Sequence, residues 1–351
     1  MLNLVRNINR KALLIASFTT VLLLILIFYG SRDLQNFDAA LITYLFGTIF
    51  ALFGVTYRYT VWIQRPPTWM YFKRGFQLFF KGRILYHFGL FFKKSVLNIG
   101  LQKFVYPRGK YRWLAHFLIA FGCMTAFAIT LPLTFGWVHF TLAPGGIDIY
   151  EAHFFGFTVF NFKLGSLVAF MTFHALNWSS YMVIFGSLYF LRKRLTQPGL
   201  IATQNFESDL LPLILLIVIS VTGLGLTYSY QFMKGFAFDF LAVLHAISVI
   251  VFLIWIPFGK FFHIIQRPAQ IGAHIYKEEG VRLGMAVCPH TGNEFDTQMH
   301  VNDLKEVTKE LGFNFEKPDG TSHLDLSPEG KRSLLAKAHL EARLKGGNLF
   351  G

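Results

Sequence analysis

The sequence is poor in cysteine and, over long stretches, in acidic residues. Its 351 residues include only two cysteines, too few for a conventional iron–sulfur cluster, which takes four thiolates. Cys123 lies in an apolar stretch and Cys288 in the polar C-terminal part, so we expect no disulfide between them. No Asp or Glu occurs from Ala39 to Ile147. The apolar stretches hold essentially no carboxylate, which counts against a transporter that relays protons through them.

Apolar and aromatic residues dominate what is present. The chain is 54% hydrophobic and contains 41 Phe, a composition typical of helical membrane proteins. The formal charge of +14 comes from the apolar part, because the part after Arg267 is nearly balanced. Such an excess indicates membrane orientation and contact with lipid headgroups. We therefore expect an all-α integral membrane protein that binds membrane lipid and no nucleic acid.

Six apolar stretches are long enough to span a bilayer, since about 20 residues suffice. They cover residues 12–30, 39–62, 113–138, 160–191, 210–231 and 240–262. Basic residues flank one side of these stretches, and the acidic residues of the loops lie on the other. The positive-inside rule then predicts a bacterial-type inner membrane location with both termini in the cytoplasm.

Four segments follow from this pattern. We expect residues 1–62 to form two N-terminal transmembrane helices and residues 113–266 to form a four-helix membrane domain. Between them, residues 63–112 mix aromatic clusters with eight Lys and Arg before Arg108, which predicts one or two amphipathic helices in the membrane interface. This segment would either anchor the protein to headgroups or dock a partner subunit. Residues 267–351 form a soluble cytoplasmic tail, with one helix over Val301–Leu311 and another from an N-cap at Ser327 to about Lys345.

Histidines supply the candidate chemistry. The first 86 residues contain none, whereas the last apolar stretch holds His245 and His263, 18 residues apart. On one continuous helix both rings would share a face, about 27 Å apart along the axis. An imidazole in hydrocarbon needs a partner. A structural histidine that hydrogen-bonds a carbonyl or hydroxyl is the alternative for each residue.

The depths of the histidines pair up. His116 and His263 both lie at the cytoplasmic edge, whereas His174 and His245 precede basic residues by similar distances and so lie in the outer half of the membrane. Two such pairs predict two bis-histidine b-type haems, with these four residues as ligands of the haem iron. His139 and His153 are alternates, and a single haem is the other possibility.

These residues carry a family resemblance. A last span with two histidines 18 apart, followed by Gln266-Arg267-Pro268, resembles the gamma subunit of respiratory nitrate reductase and related subunits of sulfite and heterodisulfide reductase complexes. The likeness covers roughly residues 112–268. It implies a dihaem cytochrome b that exchanges electrons with quinone, with His263 and His116 on the haem nearest the cytoplasmic partner. The chain departs from the family at Ala126, where the family has a second histidine, and His174 is our replacement by depth.

The predicted function is electron transfer between the quinone pool and a cytoplasmic-side partner that carries iron–sulfur or molybdenum centres. The chain would act as a subunit of a quinol-linked oxidoreductase. Asp148, Glu151 and His153 in the outer loop are candidate proton acceptors beside a quinone, because carboxylate and imidazole suit that role. A solvated loop is the alternative for each of them. Other functions are a cofactor-free membrane anchor and a transporter with a histidine relay.

The tail resembles a zinc ribbon that has lost most of its ligands. Cys288-Pro-His-Thr-Gly292 and Ser327-Pro-Glu-Gly-Lys-Arg332 match its two halves, with three of four cysteines replaced. Tetrahedral thiolate coordination cannot be assembled from one cysteine. His290 and His300 could complete a weak site, but a metal-free remnant used for docking is the expectation.

Overall fold

The computed structural model of the chain describes residues 8–81, 83–144, 146–317 and 320–346, which are mostly helical as the sequence predicts. The helices are α1 (Arg10–Gly30), α2 (Ile42–Ile63), α3 (Pro66–Phe80), α4 (Ile84–Ser95), α5 (Lys110–Thr134), α6 (Leu167–Phe173), α7 (Ala175–Thr196), α8 (Pro198–Ile201), α9 (Leu211–Phe232), α10 (Phe238–Trp255), α11 (Phe262–Leu283), α12 (Gln298–Glu310) and α13 (Pro328–Leu344). The strands are β1 (Val138–Leu142), β2 (Ile149–Phe154), β3 (Phe157–Lys163), β4 (Met285–Val287) and β5 (Glu294–Thr297). They form two antiparallel sheets, β1-β2-β3 and β4-β5.

The chain forms two compact units. The apolar unit contains the residues up to Val61 together with Val96–Gln266. The amphipathic unit contains Trp62–Ser95 and the residues from Arg267 onward. The predicted interfacial segment and the predicted tail thus share one unit, except that the residues from Val96 to the start of α5 belong to the apolar unit.

Several helices of the apolar unit are long and apolar enough to cross a membrane. Among the described residues five pass this test: α1, α2 with its preceding turn from Ala39, α5, α9 with its preceding turn from Phe206, and α10. A sixth is reached only if α6 and α7, which are bent by 52° at their junction, count as one span. The apolar helices are therefore confirmed, whereas the predicted number of six depends on this bent pair.

Glycines bring α5 and α7 close together. A Cβ added at Gly122 would lie 2.7 Å from a methyl of Val183 and 2.8 Å from the Ser179 carbonyl oxygen. One added at Gly186 would lie 2.5 Å from the Ala115 carbonyl oxygen. Small residues of this kind let helix backbones approach. The core beside this contact is built from Val183, Leu216, Phe252 and Phe261.

The predicted span over residues 160–191 is wrong at its start. Residues 157–163 form strand β3 instead, and helix α6 begins only after Ser166, whose hydroxyl accepts from the Ala169 N–H at 3.2 Å. The alternation of aromatic and polar residues along β3 has the period of a strand. His174 lies at the bend between α6 and α7.

The last apolar stretch is also not one helix. Helix α10 ends at Trp255 and α11 begins at Phe262, with Pro257 in the break. Proline has no N–H and clashes with the preceding turn, so it ends the helix. The Arg58 guanidinium donates to the carbonyl oxygens of Pro257 and, at 3.3 Å, of Gly259. The prediction that His245 and His263 share one continuous helical face is therefore wrong.

The loop between α5 and α6 contains a sheet, which the sequence analysis did not predict. One face is aromatic and packs on α6, with Ala152 and Phe162 buried against Ala169. Because side chains alternate along strands, the opposite face carries His139, Glu151 and their polar neighbours.

The amphipathic unit ties α3 and α4 to the C-terminal helices. His87 of α4 is 1% exposed, and its Nε2 lies 3.1 Å from Glu279 Oε1 on α11. Arg74 of α3 donates to Asp303 of α12 at 3.0 Å. The predicted N-cap at Ser327 is confirmed, because its hydroxyl accepts from the Gly330 backbone N–H at 3.0 Å.

Candidate functional site

The four predicted haem ligands all lie in or beside the apolar helices. His116 is in the second turn of α5, where its ring meets the edge of Phe104 at 5.8 Å between centroids. His174 is at the α6–α7 bend, His245 is inside α10, and His263 is the second residue of α11.

Hydrogen bonds fix the tautomers of His174 and His263. His174 Nδ1 lies 2.9 Å from the Phe170 carbonyl oxygen, and His263 Nδ1 bonds the Lys260 carbonyl oxygen. A carbonyl oxygen only accepts, so Nδ1 carries the hydrogen in both rings. A neutral imidazole of this form has its lone pair on Nε2. Metal-binding histidines are commonly oriented in this way, by an Nδ1–H bond to a backbone carbonyl.

His245 reaches the same state through a hydroxyl. Its Nδ1 lies 3.0 Å from Thr222 Oγ1 of α9, and that hydroxyl donates to the Val218 carbonyl oxygen at 2.7 Å. With its hydrogen used in this way, the hydroxyl accepts from Nδ1–H of His245. Gly223 makes room for the ring, because a Cβ there would lie 3.2 Å from His245 Cε1.

His174 and His245 contact different positions of helix α9. His174 Nε2 is 3.4 Å from Gln231 Nε2, whereas His245 bonds Thr222. Those two positions are nine residues apart, about 13.5 Å along a helix. This spacing is between backbone positions of α9, so the pairing of His174 with His245 on one haem stays a prediction.

The alternates His139 and His153 are stacked on each other. They are direct partners across β1 and β2, with ring centroids 4.6 Å apart and planes 6° apart. Both nitrogens of His153 have partners, Thr141 Oγ1 at 2.7 Å and Thr158 Oγ1 at 3.2 Å. His139 Nδ1 is buried with no hydrogen-bond partner. His139 is therefore the better alternate ligand of the two.

Two of the three candidate proton acceptors lie together. Glu151 Oε2 is 3.7 Å from His153 Nε2 on the polar face of the sheet. Burial, helped by the charges of His153 and Arg32, lowers the pKa of His139 beside them. Asp148 is apart from this group and forms an exposed ion pair with a lysine of β3 at 3.2 Å.

Arg58 is a candidate residue that the sequence reasoning missed. It lies in the apolar helix α2, with its guanidinium 4.3 Å from the ring centroid of Phe262, the residue before His263. A cation at this position could bind an anionic group beside His263. The signal was a lone arginine inside an apolar stretch, which is costly in lipid and so indicates a function.

The two zinc-ribbon halves come together in the amphipathic unit. A Cβ at Gly330 would lie 2.8 Å from Cys288 Sγ and 3.3 Å from Ser327 Oγ, and Thr291 Oγ1 is 3.5 Å from Ser327 Oγ. Burial alone would raise the pKa of the Cys288 thiol, but hydrogen bonds from Ser327 and Thr291 lower it to about 6. Hydroxyls thus stand at two positions where a ribbon has thiolates, and they hydrogen-bond the remaining sulfur.

Within the described parts of the chain, no group of three or more His, Cys, Asp or Glu side chains is arranged to hold a metal ion. Comparison with known proteins gives no relative: no family model, no curated protein and no solved structure matches the chain.

Proposed function

We propose that the chain is a membrane cytochrome b subunit that carries electrons between quinone and a redox partner. One observation carries the proposal. In the apolar unit, His174, His245 and His263 all have Nδ1 held by a carbonyl or hydroxyl oxygen. That arrangement leaves the lone pair on Nε2, the state that an iron-binding imidazole needs.

The apolar helices would lie in a bacterial inner membrane with both termini in the cytoplasm. Support comes from their length and hydropathy and from basic residues on one side of the spans. In this orientation residues 267–351 lie in the cytoplasm. The partner there would carry the iron–sulfur or molybdenum centres, because this chain has too few cysteines for a cluster of its own.

Haem b would supply one-electron transfer, while the chain supplies ligation and charge. His116 and His263 would hold the haem on the cytoplasmic side, as the resemblance to nitrate reductase gamma subunits implies. Arg58, beside Phe262, would bind a propionate there. His245 would hold a second haem, with His174 or the alternate His139 as the other ligand.

Quinol oxidation would take place beside the three-stranded sheet. His153 and Glu151 form the acceptor pair on its polar face. His153 is positioned by two threonine hydroxyls, so it would receive a proton in a fixed orientation. Asp148, already paired with a lysine, would act further along the exit path. Reverse flow, from partner to quinone, uses the same residues.

A single-haem subunit is the second candidate. Ala126 favours it, because it stands where the nitrate reductase gamma family has a second histidine and so removes the simplest second ligand for the outer haem. A cofactor-free anchor and a proton-relay transporter remain as further alternatives without an observation of their own.

Spectra of histidine variants test the proposal. The chain is purified from haem-replete cells, and reduced-minus-oxidised spectra are compared for His263→Ala, His245→Ala and the control His339→Ala, an exposed residue of α13. We expect His263→Ala and His245→Ala each to lose a different fraction of the b-type absorbance of the parent protein. The control should keep all of it. Equal spectra in all variants would exclude these ligands, and no absorbance in the parent protein would leave only the anchor or the transporter.

A further inference from the structure

Helix α3 has an aromatic stripe that nothing in the described structure covers. Trp69, Phe72, Phe76 and Phe80 are spaced by three and four residues, so they share one face. They are between 43% and 61% exposed. The opposite face is the one that packs within the amphipathic unit, where Gly75 lies against the Gly272 backbone of α11.

Helix α4 repeats the arrangement. Leu85, Phe88 and Phe92 share a face and are 63% to 87% exposed. His87, on the other side, is buried and bonds the Phe79 carbonyl oxygen and the Glu279 carboxylate. In both helices the aromatic stripe is thus on the exposed side, whereas a helix on a soluble domain buries its most apolar side.

Charge and chain connectivity indicate what covers the stripes. Lys73, Lys81 and Lys93 are exposed beside them, and no acidic residue occurs anywhere in α3 or α4. Helix α3 starts three residues after α2, a helix apolar enough to cross a membrane, so its beginning cannot lie far from a membrane edge. Aromatic rings between lysines suit the boundary of acyl chains and anionic headgroups. A protein partner would need acidic groups to match the same lysines.

We propose that α3 and α4 lie in the membrane interface, with both aromatic stripes in the acyl-chain boundary of an anionic lipid surface. The C-terminal helices α11 and α12 then contact the opposite sides of α3 and α4, through the pairs Arg74–Asp303 and His87–Glu279. The inference needs the apolar helices to be in a bilayer, but it needs no haem. It assigns residues 66–95 to lipid and leaves the tail for a soluble partner.

Spin-label depth measurements test this in the full chain. After replacement of the two native cysteines, single labels are placed at Phe76→Cys and Phe88→Cys, with controls at Phe18→Cys in α1 and Leu335→Cys in α13, which are 69% and 58% exposed. The protein is reconstituted in nanodiscs of phosphatidylcholine with phosphatidylglycerol. Collision with oxygen and with a water-soluble nickel chelate reports the depth of each label. Circular dichroism checks that each variant is folded.

We expect the labels at Phe76 and Phe88 to lie about 5–10 Å into the interface, oxygen-accessible and protected from nickel. The label at Leu335 should be in water and that at Phe18 deep in lipid. Nickel accessibility at Phe76 and Phe88 overturns the inference, and so does spin–spin broadening there, which would indicate a second copy. If Phe18 also reads as water, membrane insertion itself is wrong. If the label at Phe18 lies in lipid while those at Phe76 and Phe88 lie in water, the protein is in the membrane and only this inference fails.

Headgroup charge gives a second readout. Discs of phosphatidylcholine alone should hold the Phe76 label less deeply than discs with phosphatidylglycerol, because the lysines lose their attraction. The variant Lys73→Glu/Lys93→Glu should remove this difference between the two lipids, whereas Lys309→Glu on α12 should keep it. A depth that does not depend on lipid charge contradicts the anionic part of the assignment.

Discussion

The ion pair between His87 and Glu279 offers a prediction whose size follows from the geometry. His87 is 1% exposed and Glu279 3%. The ring bonds the Phe79 carbonyl oxygen at 3.2 Å through Nδ1 and the Glu279 carboxylate at 3.1 Å through Nε2. A carbonyl oxygen only accepts, so Nδ1 carries a hydrogen, and Nε2 pairs with the carboxylate. Arg282 also bonds the carboxylate, at 2.7 Å.

Removing one partner should open the unit locally. Breaking a buried pair costs about 3–5 kcal/mol. In His87→Leu the carboxylate keeps Arg282, so we expect the lower end, about 3 kcal/mol, or on the order of 100-fold in the opening equilibrium. Glu279→Leu should cost a similar amount. The double variant should lose less stability than the two single variants together, by about 2 kcal/mol or more. The reason is that replacing a whole buried pair with apolar residues is about neutral.

Hydrogen exchange followed by mass spectrometry measures this in nanodiscs. Peptides from α4 and α11 should lose protection together, whereas those from α5 should not. Arg332→Ala removes an exposed pair with Glu329 and serves as the control, with an expected change below about 0.5 kcal/mol. Exchange that changes less than threefold in His87→Leu, or strictly additive effects in the double variant, would refute the reasoning.

Three further predictions concern single groups. Burial would raise the pKa of Glu279, but its bonds to Arg282 and the imidazole lower it, so its contribution to stability is complete above its ordinary pKa of 4.5. That contribution is lost as the pH falls through the lowered value, which acid-dependent hydrogen exchange of α11 will show. Gly223→Leu should reduce the haem-to-protein ratio by pushing the imidazole of α10 aside, whereas Gly225→Ala, with 3.5 Å to its nearest neighbour, should keep it. The Cys288 thiolate should titrate near pH 6 in ultraviolet difference spectra, and Ser327→Ala should raise that pKa by removing a hydrogen bond.

The apolar helices could be predicted from the sequence because hydropathy alone decides them. The predicted stretch 39–62 corresponds to Ala39–Ile63, and 210–231 lies within Phe206–Phe232. Capping chemistry was equally direct at Ser327, where a hydroxyl followed by proline starts α13.

What the sequence did not reveal depended on contacts between distant residues. The aromatic alternation of β3 was taken for part of an apolar span, because the alternation is short and apolar residues follow it directly in α6. Pro257 was visible, but whether a proline kinks or ends a helix depends on contacts in the break, and here Arg58 bonds the carbonyl oxygens of Pro257 and Gly259. The bend at His174 was not visible in the sequence, because the two helices on either side of it together still have the hydropathy of a single span.

The haem content of the purified chain tests the central claim most directly. Reduced-minus-oxidised spectra and pyridine haemochrome analysis of protein from haem-replete cells should show b-type haem, with one haem per chain if only His116 and His263 act as a pair and two if His245 also finds a second ligand. A colourless protein that is folded by circular dichroism would contradict the account.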